Sequence, residues 1–383
     1  TTEIYTLSLH DALPILIGDG LGDRPIAAFG GKTPLEATPT PTLDWLATNG
    51  ECGLMDPIGP GIRAGSDTAH LAILGYDPYE VYTGRGPFEA AGIGMEVKPG
   101  DVAFRCNFTT IDDDFIAVDR RAGRIEEGTD QLVAEVNEMV IEDVTCFVKE
   151  SVAHRAALVL RGPGLSAEVT DVDPHHEGAK LLEAEAKVPA AEKTARILNE
   201  FVRRSYAALK NHPVNQARIA AGLKPANSIV PRGAGEAPNI GSIEARYGCK
   251  SACIVETGLI KGIGSYLGMD ILDVPGGTGG LDTDIQSFAA VISEALPRYG
   301  LILCNLKAPD IAGHDSGAET KQQAIRLLDQ LVAGLLEAVK ATGAYMVGTG
   351  DHSTPIGVCD HSGDPQPVVF YGPDLRAYTV HKL

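Results

Sequence analysis

Five side chains near the carboxyl end of the chain have the chemistry of a metal site. Asp310 and His314 stand four residues apart, which puts both on one face of a helix, and Asp351, His352 and His361 follow the next apolar run. Asp310 and Asp351 each come just after a short apolar run, so in a parallel sheet both lie at the carboxyl end of a strand, the usual ligand edge. Carboxylate and imidazole suit Mn²⁺, Co²⁺ or Zn²⁺, and such a set tolerates Mg²⁺. Near the other end, Ile15-Leu16-Ile17-Gly18 leads into another carboxylate, Asp19, and Ala64-Gly65-Ser66-Asp67 offers a hydroxyl nucleophile in a glycine-flanked turn. Each fragment also has a plainer reading. Asp-x3-His is a weak signal alone, Gly-Asp-His-Ser suits an Asx turn, and Ser66 suits the N-cap of the helix it opens. His70, one turn on from Ser66, faces either the site or the core.

The elements that must position these groups read as an α/β domain interrupted by an insertion. Up to about residue 88 the pattern is strand, glycine-rich turn, a helix around 41–49, a strand near Gly53, and the Ser66 turn opening a helix. From 89 to 232 the texture changes to strand-like pieces at 102–108, 115–118 and 156–160 with helical patterns at 130–140 and 190–210. From 233 to 383 the α/β texture resumes, with strands at 252–255 and 301–304 and helices at 288–296 and 322–341, the last stopped by Gly343. The expected domains are therefore 13–88 with 233–383, and 89–232 between them. The glycine run 276–280 lacks the lysine and strand-to-helix frame of a phosphate loop and reads as a flexible connection.

Composition narrows the function classes. A net charge of −19 argues against nucleic acid and anionic membranes as partners, while a local metal and a few arginines still permit a small anionic substrate. No apolar run approaches the roughly 18 residues of a membrane helix. Seven cysteines without Cys-x2-Cys spacing read as reduced thiols in a cytoplasm. Whether the chain forms a homo-oligomer is open at this level.

The fragments together resemble the archaeal-type, 2,3-bisphosphoglycerate-independent phosphoglycerate mutases of the alkaline phosphatase superfamily. The likeness is carried by Gly-Asp-Gly-Leu-Gly-Asp-Arg-Pro at 18–25, Thr-Pro-Leu-Glu-Ala-Thr-Pro-Thr-Pro at 33–41, Ser66 to His70 followed by Leu-Gly-Tyr-Asp-Pro at 74–78, and the 310–361 cluster, in that order. It implies a three-layer α/β/α core with an inserted smaller α+β lid domain. It further implies that Asp310, His314 and His361 hold one metal, that Asp19, Ser66, Asp351 and His352 hold the other, and that Ser66 is the nucleophile. The implied reaction interconverts 3-phosphoglycerate and 2-phosphoglycerate through phosphoserine, a step of glycolysis and gluconeogenesis, without 2,3-bisphosphoglycerate. A metal-dependent phosphomonoesterase, or another phosphotransferase such as a homoserine kinase, is the alternative within the superfamily.

A mutase must keep glycerate bound and away from water, so the insertion is the expected lid. Its cationic residues Arg120, Arg121, His154, Arg155 and Arg232 suit carboxylate and phosphate, although exposed arginines are commonly just solvated surface. Asp171 and Asp173 either shuttle a glycerate proton or shape the turn at Pro174, and Lys307 reaches toward the phosphate. Residues 1 to about 12 do not read as a native start, and the resemblance implies a further helical segment past Tyr378, which would make the chain a fragment.

Overall fold

The computed structural model describes residues 12–315 and 317–375. The expectations about the first dozen residues and the chain beyond Tyr378 fall outside this range, apart from Ala12. The chain divides into two compact units, 1–81 with 240–383, and Tyr82–Asn239. The boundaries thus differ from the expected 88/89 and 232/233. The helix Gly86–Gly92 packs on the second unit's sheet, and a strand at Ser228–Glu236, interrupted in sequence by Pro231, Gly233 and Gly235, belongs to that same sheet.

The first unit is built on a seven-stranded sheet. Its order is Asp270–Ile271, Ser251–Val255, Leu301–Leu306, Leu13–Gly18, Met346–Gly350, Gln366–Tyr371 and Glu51–Met55. All pairings are parallel except the two made by Gln366–Tyr371, which runs against its neighbours. Parallel strands are buried on both faces, so they read as continuous apolar runs, and alternate residues serve the two faces. Leu16, Ile254, Ile302, Cys304 and Met346 pack with Phe288 and Ile292 of the helix Ile285–Ala295 and with Leu328, Leu331, Val332 and Leu335 of the helix Ala318–Thr342. On the opposite face the helix Gly258–Tyr266 lies so close to Cys253 that a Cβ on Gly264 would fall 3.0 Å from its sulfur. The result is the expected α/β/α layering.

The second unit is an antiparallel sheet around Val102–Ile111, which pairs with Arg155–Arg161 and with Ser228–Glu236. One face packs against the helices Thr129–Val136 and Glu192–Leu209 through Phe104, Phe108, Leu158, Leu198 and Phe201. The other face is lined by Ala103, Ala157 and Val159, small enough to admit the helix carrying Ala90. The expected helix over 130–140 ends at Val136, and Met139–Ile141 is a short strand.

Candidate active site

Sheet register assembles the first cluster. Gly18 pairs with Leu306 on one side and Gly350 on the other, so the next residues along the three strands, Asp19, Lys307 and Asp351, leave the sheet edge side by side. The turn after Lys307 opens the helix Ala308–Asp315, which carries Asp310 in its first turn and His314 in its last. Ser66 begins the helix Ser66–Ile73, whose N-cap is Gly65. The plain N-cap role for Ser66 is therefore not what the backbone adopts. Its hydroxyl instead lies 3.1 Å from His352 Nε2 and 3.5 Å from Asp19 Oδ1.

Three imidazoles share one orientation. His314 Nδ1 donates to the Cys359 carbonyl and His361 Nδ1 to the Ala64 carbonyl, each at 3.0 Å, and their Nε2 atoms turn to Asp310 Oδ1 at 3.4 and 3.5 Å. Thr354 donates its hydroxyl proton to Asp310 Oδ1 at 2.8 Å, so His352 Nδ1, 3.2 Å from Thr354 Oγ1, donates to that hydroxyl oxygen. The His352 Nε2 lone pair then faces Asp351 Oδ2 at 3.3 Å and Asp19 Oδ1 at 3.6 Å. Holding Nδ1–H on an acceptor and aiming Nε2 at carboxylates is how histidines are set for a cation. Burial would lower His361, but its hydrogen bond to Asp310 outweighs it and raises the imidazole above its ordinary value, so a cation there displaces a proton.

The electrostatics call for positive charge. Asp19, Asp310 and Asp351 are all buried, and Lys307 is the ammonium among them, 2.9 Å from Asp19 and 2.7 Å from Asp310. Burial and then Asp351 push the Asp19 carboxyl above its ordinary range, against the pull of Lys307. Burial alone would raise Asp310 too, but Lys307, the His361 hydrogen bond and His352 outweigh it and hold it well below the usual range. Burial presses His352 down to about 3, so this imidazole is neutral at pH 7, as a ligand must be. Asp351 Oδ2 is buried without a hydrogen-bond donor. An orphaned carboxylate oxygen in such a place is costly unless a cation answers it, so the residues fit one or more divalent ions. Two triads bring their ligand atoms within 4.8 Å of one another, Asp310 with His352 and His361, and Asp19 with Asp351 and His352. His352 thus joins both sets, and His314 Nε2 approaches Asp310 at 3.4 Å without entering either triad among the described residues.

Sequence reasoning left His70 open between site and core and missed the neutral polar partners Asn305 and Thr354. His70 faces the cluster, with Nδ1 donating to the Ser66 carbonyl at 2.6 Å and Nε2 accepting from Asn305 Nδ2 at 3.1 Å. Asn305 also donates to Asp19 Oδ2 at 3.1 Å, and Thr354 bridges Asp310 to His352. Neither Asn305 nor Thr354 carries a spacing signal. Lys307 lies among the carboxylates rather than apart from them.

The second unit holds a separate cationic cluster. Arg105 and Arg232 occupy directly paired positions on neighbouring strands, a like-charge arrangement that needs counter-charge. Glu89 accepts from Arg85 Nε at 2.8 Å and lies 3.7 Å from Arg105 Nε, and Arg232 Nε lies 3.6 Å from Asp173. Burial and then Arg85 still draw the Arg105 guanidinium well below its ordinary range, and Arg105 Nε and Arg232 Nε lack hydrogen-bond acceptors. The arginines outnumber their acids. Arg120 forks onto Asp173 at 2.9 and 2.6 Å. Burial would raise Asp173, but this fork, the His175 N–H and Arg232 outweigh it, so Asp173 is a weak base and serves as an arginine holder. Asp171 accepts from Gly233 N at 2.8 Å. His154, expected as a cation, is corrected: burial and the charges of Arg155, Arg121 and Arg105 drop it to about 4, leaving it neutral. Arg120 and Arg121 line a cavity of about 490 Å³ with Asp119, Gly123, Arg124, His176 and Glu177.

A family model for 2,3-bisphosphoglycerate-independent phosphoglycerate mutase matches residues 47–215. The chain is 52% identical to 2,3-bisphosphoglycerate-independent phosphoglycerate mutase 1 of Methanothermobacter thermautotrophicus over 372 residues, 96% of this chain and 90% of that one. It is 51% identical to the mutase of Methanobrevibacter smithii, with the same shares. Among solved structures, a Pyrococcus horikoshii protein superposes with a TM-score of 0.84 at 35% identity, covering 98% of this chain and 91% of that one. The cofactor-independent phosphoglycerate mutase of Thermoplasma acidophilum gives 0.68 at 35% identity, covering 97% and 92%. Identity of this depth over nearly the whole length places the chain in the archaeal-type, 2,3-bisphosphoglycerate-independent phosphoglycerate mutase family, a family of isomerases.

Proposed function

We propose that the chain interconverts 3-phosphoglycerate and 2-phosphoglycerate by passing the phosphoryl group through Ser66. The observation that carries this reading is the meeting of the Ser66 hydroxyl with His352 Nε2 at 3.1 Å and Asp19 Oδ1 at 3.5 Å, at the edge where three buried carboxylates and three inward-facing imidazoles converge. Asp310, His361 and His314 would hold one divalent ion, and Asp19, Asp351, His352 and Ser66 the other, with His352 near enough to serve either. Bound there, such ions neutralise the phosphoryl oxygens and ease loss of the serine proton.

The chain's own residues do the rest. Ser66 Oγ forms a bond to phosphorus as the bond from phosphorus to the glycerate oxygen breaks, and the freed oxygen takes up a proton. The second glycerate hydroxyl then gives up its proton and attacks phosphorus, releasing Ser66. Ser66 heads a helix, whose first N–H groups favour an anion at this point. Lys307 keeps a fixed ammonium beside Asp19 and Asp310, which offsets charge on the transferring group. The second unit, in the lid role, binds glycerate: Arg105, Arg155 and Arg232 offer forks to its carboxylate, Arg120 and Arg121 line the adjoining cationic wall, and Asp171, which accepts from the Gly233 N–H, exchanges a proton with a hydroxyl. Glycolysis and gluconeogenesis in a cytoplasm are the setting that suits this reaction and the unpaired thiols of all seven cysteines. Among the described residues no helix is long and apolar enough to cross a membrane.

The test is an enolase-coupled assay on metal-stripped protein given 3-phosphoglycerate and Mn²⁺, without 2,3-bisphosphoglycerate. Metal-dependent formation of 2-phosphoglycerate is expected. Release of inorganic phosphate in its place would assign the site to a phosphomonoesterase, and transfer to homoserine to a kinase.

A further inference from the structure

We infer that Lys321 is a positioning residue for the metal ligands, tying together the turns that carry Asp19 and Asp351. The inference rests on the metal reading of the site. Lys321 lies in the first turn of the helix Ala318–Thr342, and its side chain is fully buried in the first unit. An ammonium has three protons to give, and all three are taken. Nζ donates to the Gly22 carbonyl at 3.2 Å and to the Thr354 carbonyl at 2.7 Å, and pairs with Asp23 Oδ2 at 3.0 Å, a side chain only 1% exposed.

These acceptors are placed to matter. Gly22 and Asp23 close the turn that begins at Asp19, and Thr354 closes the one that begins at Asp351 and His352. The two turns also bond directly, through Thr354 N to Gly22 O at 3.1 Å and Ile356 N to Asp23 at 3.2 Å. Thr354 then passes the constraint inward, because its hydroxyl holds Asp310 Oδ1 at 2.8 Å and sits 3.2 Å from His352 Nδ1. A shift of the Thr354 backbone therefore moves the partner of one ligand in each proposed set. On stability grounds alone a buried ion pair is dispensable, since apolar residues of similar volume often serve as well or better. What an apolar residue does not supply is a fixed distance between two carbonyls on separate turns.

The experiment compares wild type, Lys321→Met, and the double variant Lys321→Met with Asp23→Asn, which leaves no unpaired charge in the core. Each is stripped of metal, titrated with Mn²⁺ by calorimetry, and unfolded separately in EDTA. Removing outer-shell partners typically weakens metal binding 10–100-fold, and that loss is expected for both variants, while the double variant keeps its unfolding midpoint in EDTA close to wild type. Wild-type Mn²⁺ affinity in the double variant would overturn the inference. So would failure of the double variant to fold without metal, which would assign Lys321 to the fold itself. A wild type that binds no Mn²⁺ would instead remove the metal reading, and this inference with it.

Discussion

Ser66 is 6% exposed, yet its hydroxyl has neighbours that activate rather than merely satisfy it. A structural buried serine closes its hydrogen bond on a backbone carbonyl, whereas this one meets an unprotonated imidazole nitrogen and a carboxylate. Ser66→Ala removes the only atom that can hold the phosphoryl group in the proposed route. Turnover of 3-phosphoglycerate should fall by several orders of magnitude, with Mn²⁺ still bound by the remaining carboxylates and imidazoles. Substantial mutase activity in this variant, measured in the coupled assay, would sink the phosphoserine route. At this scale much of the cluster was readable from sequence, because an apolar run ending in Asp marks a strand end wherever it occurs. Asn305, Thr354 and Lys321 were not, since a neutral polar side chain, or a lysine within a helical pattern, looks the same whether it faces water or a buried carboxylate.

The turn after the strand Leu13–Gly18 shows how an element sets the site. Gly20 has φ +63°, and a Cβ there would lie 2.5 Å from Thr354 Oγ1 and 2.8 Å from Asp310 Cα. Gly20→Ala should lose about 1–2 kcal/mol from the left-handed backbone alone, and more from displacing Thr354, as read by denaturant unfolding without metal. Unchanged stability would show that the turn can relax. The helix Gly86–Gly92 carries the corresponding device in the second unit. Burial would raise Glu89, but Arg85 and Arg105 outweigh it and lower its carboxyl to about 2. A depressed folded-state value means the stabilisation is complete above the unfolded value near 4.5 and is lost as pH falls from there toward 2. About 3 kcal/mol is at stake by linkage, so Glu89→Gln should flatten the pH dependence of the second unit's stability across that window. An identical acid profile in the variant would remove Glu89 from this role. This helix and the strand Ser228–Glu236 escaped sequence reading for one reason. Gly and Pro punctuate both, at Gly86-Pro87 and at Pro231, Gly233 and Gly235, and the packing that overrides those signals is tertiary. The glycine run at 276–280 misled in the other direction. Thr278 N donates to Thr283 Oγ1 at 3.2 Å, and that hydroxyl donates to the half-buried Glu256 at 3.1 Å, so the segment is hydrogen-bonded to the residue that follows the strand Ser251–Val255.

For the whole molecule, the consequence is two hydrophobic cores with unequal stakes in the metal. The proposed ligands all belong to the unit formed by 1–81 and 240–383, whose core runs from Ala12 to Val369, while the core from Val102 to Val230 lies wholly in the insertion. A ligand that binds only the folded form of one unit stabilises that unit by mass action, about 2.7 kcal/mol at a hundredfold excess over its dissociation constant. For a unit of this size that corresponds to an upward shift of roughly 5–10 °C in its unfolding midpoint. The chain contains one tryptophan, Trp45, in the helix Pro41–Asn49 of the first unit, packed 5.4 Å from the Tyr371 ring. Its fluorescence therefore reports the unfolding of the metal-binding unit, and circular dichroism reports both. Thermal unfolding in EDTA and in Mn²⁺ should move the fluorescence transition by that amount and leave one component of the dichroism transition where it was. If Mn²⁺ moved both signals together as one cooperative step, the two cores would be coupled in unfolding, and the assignment of metal stabilisation to the first unit alone would fail.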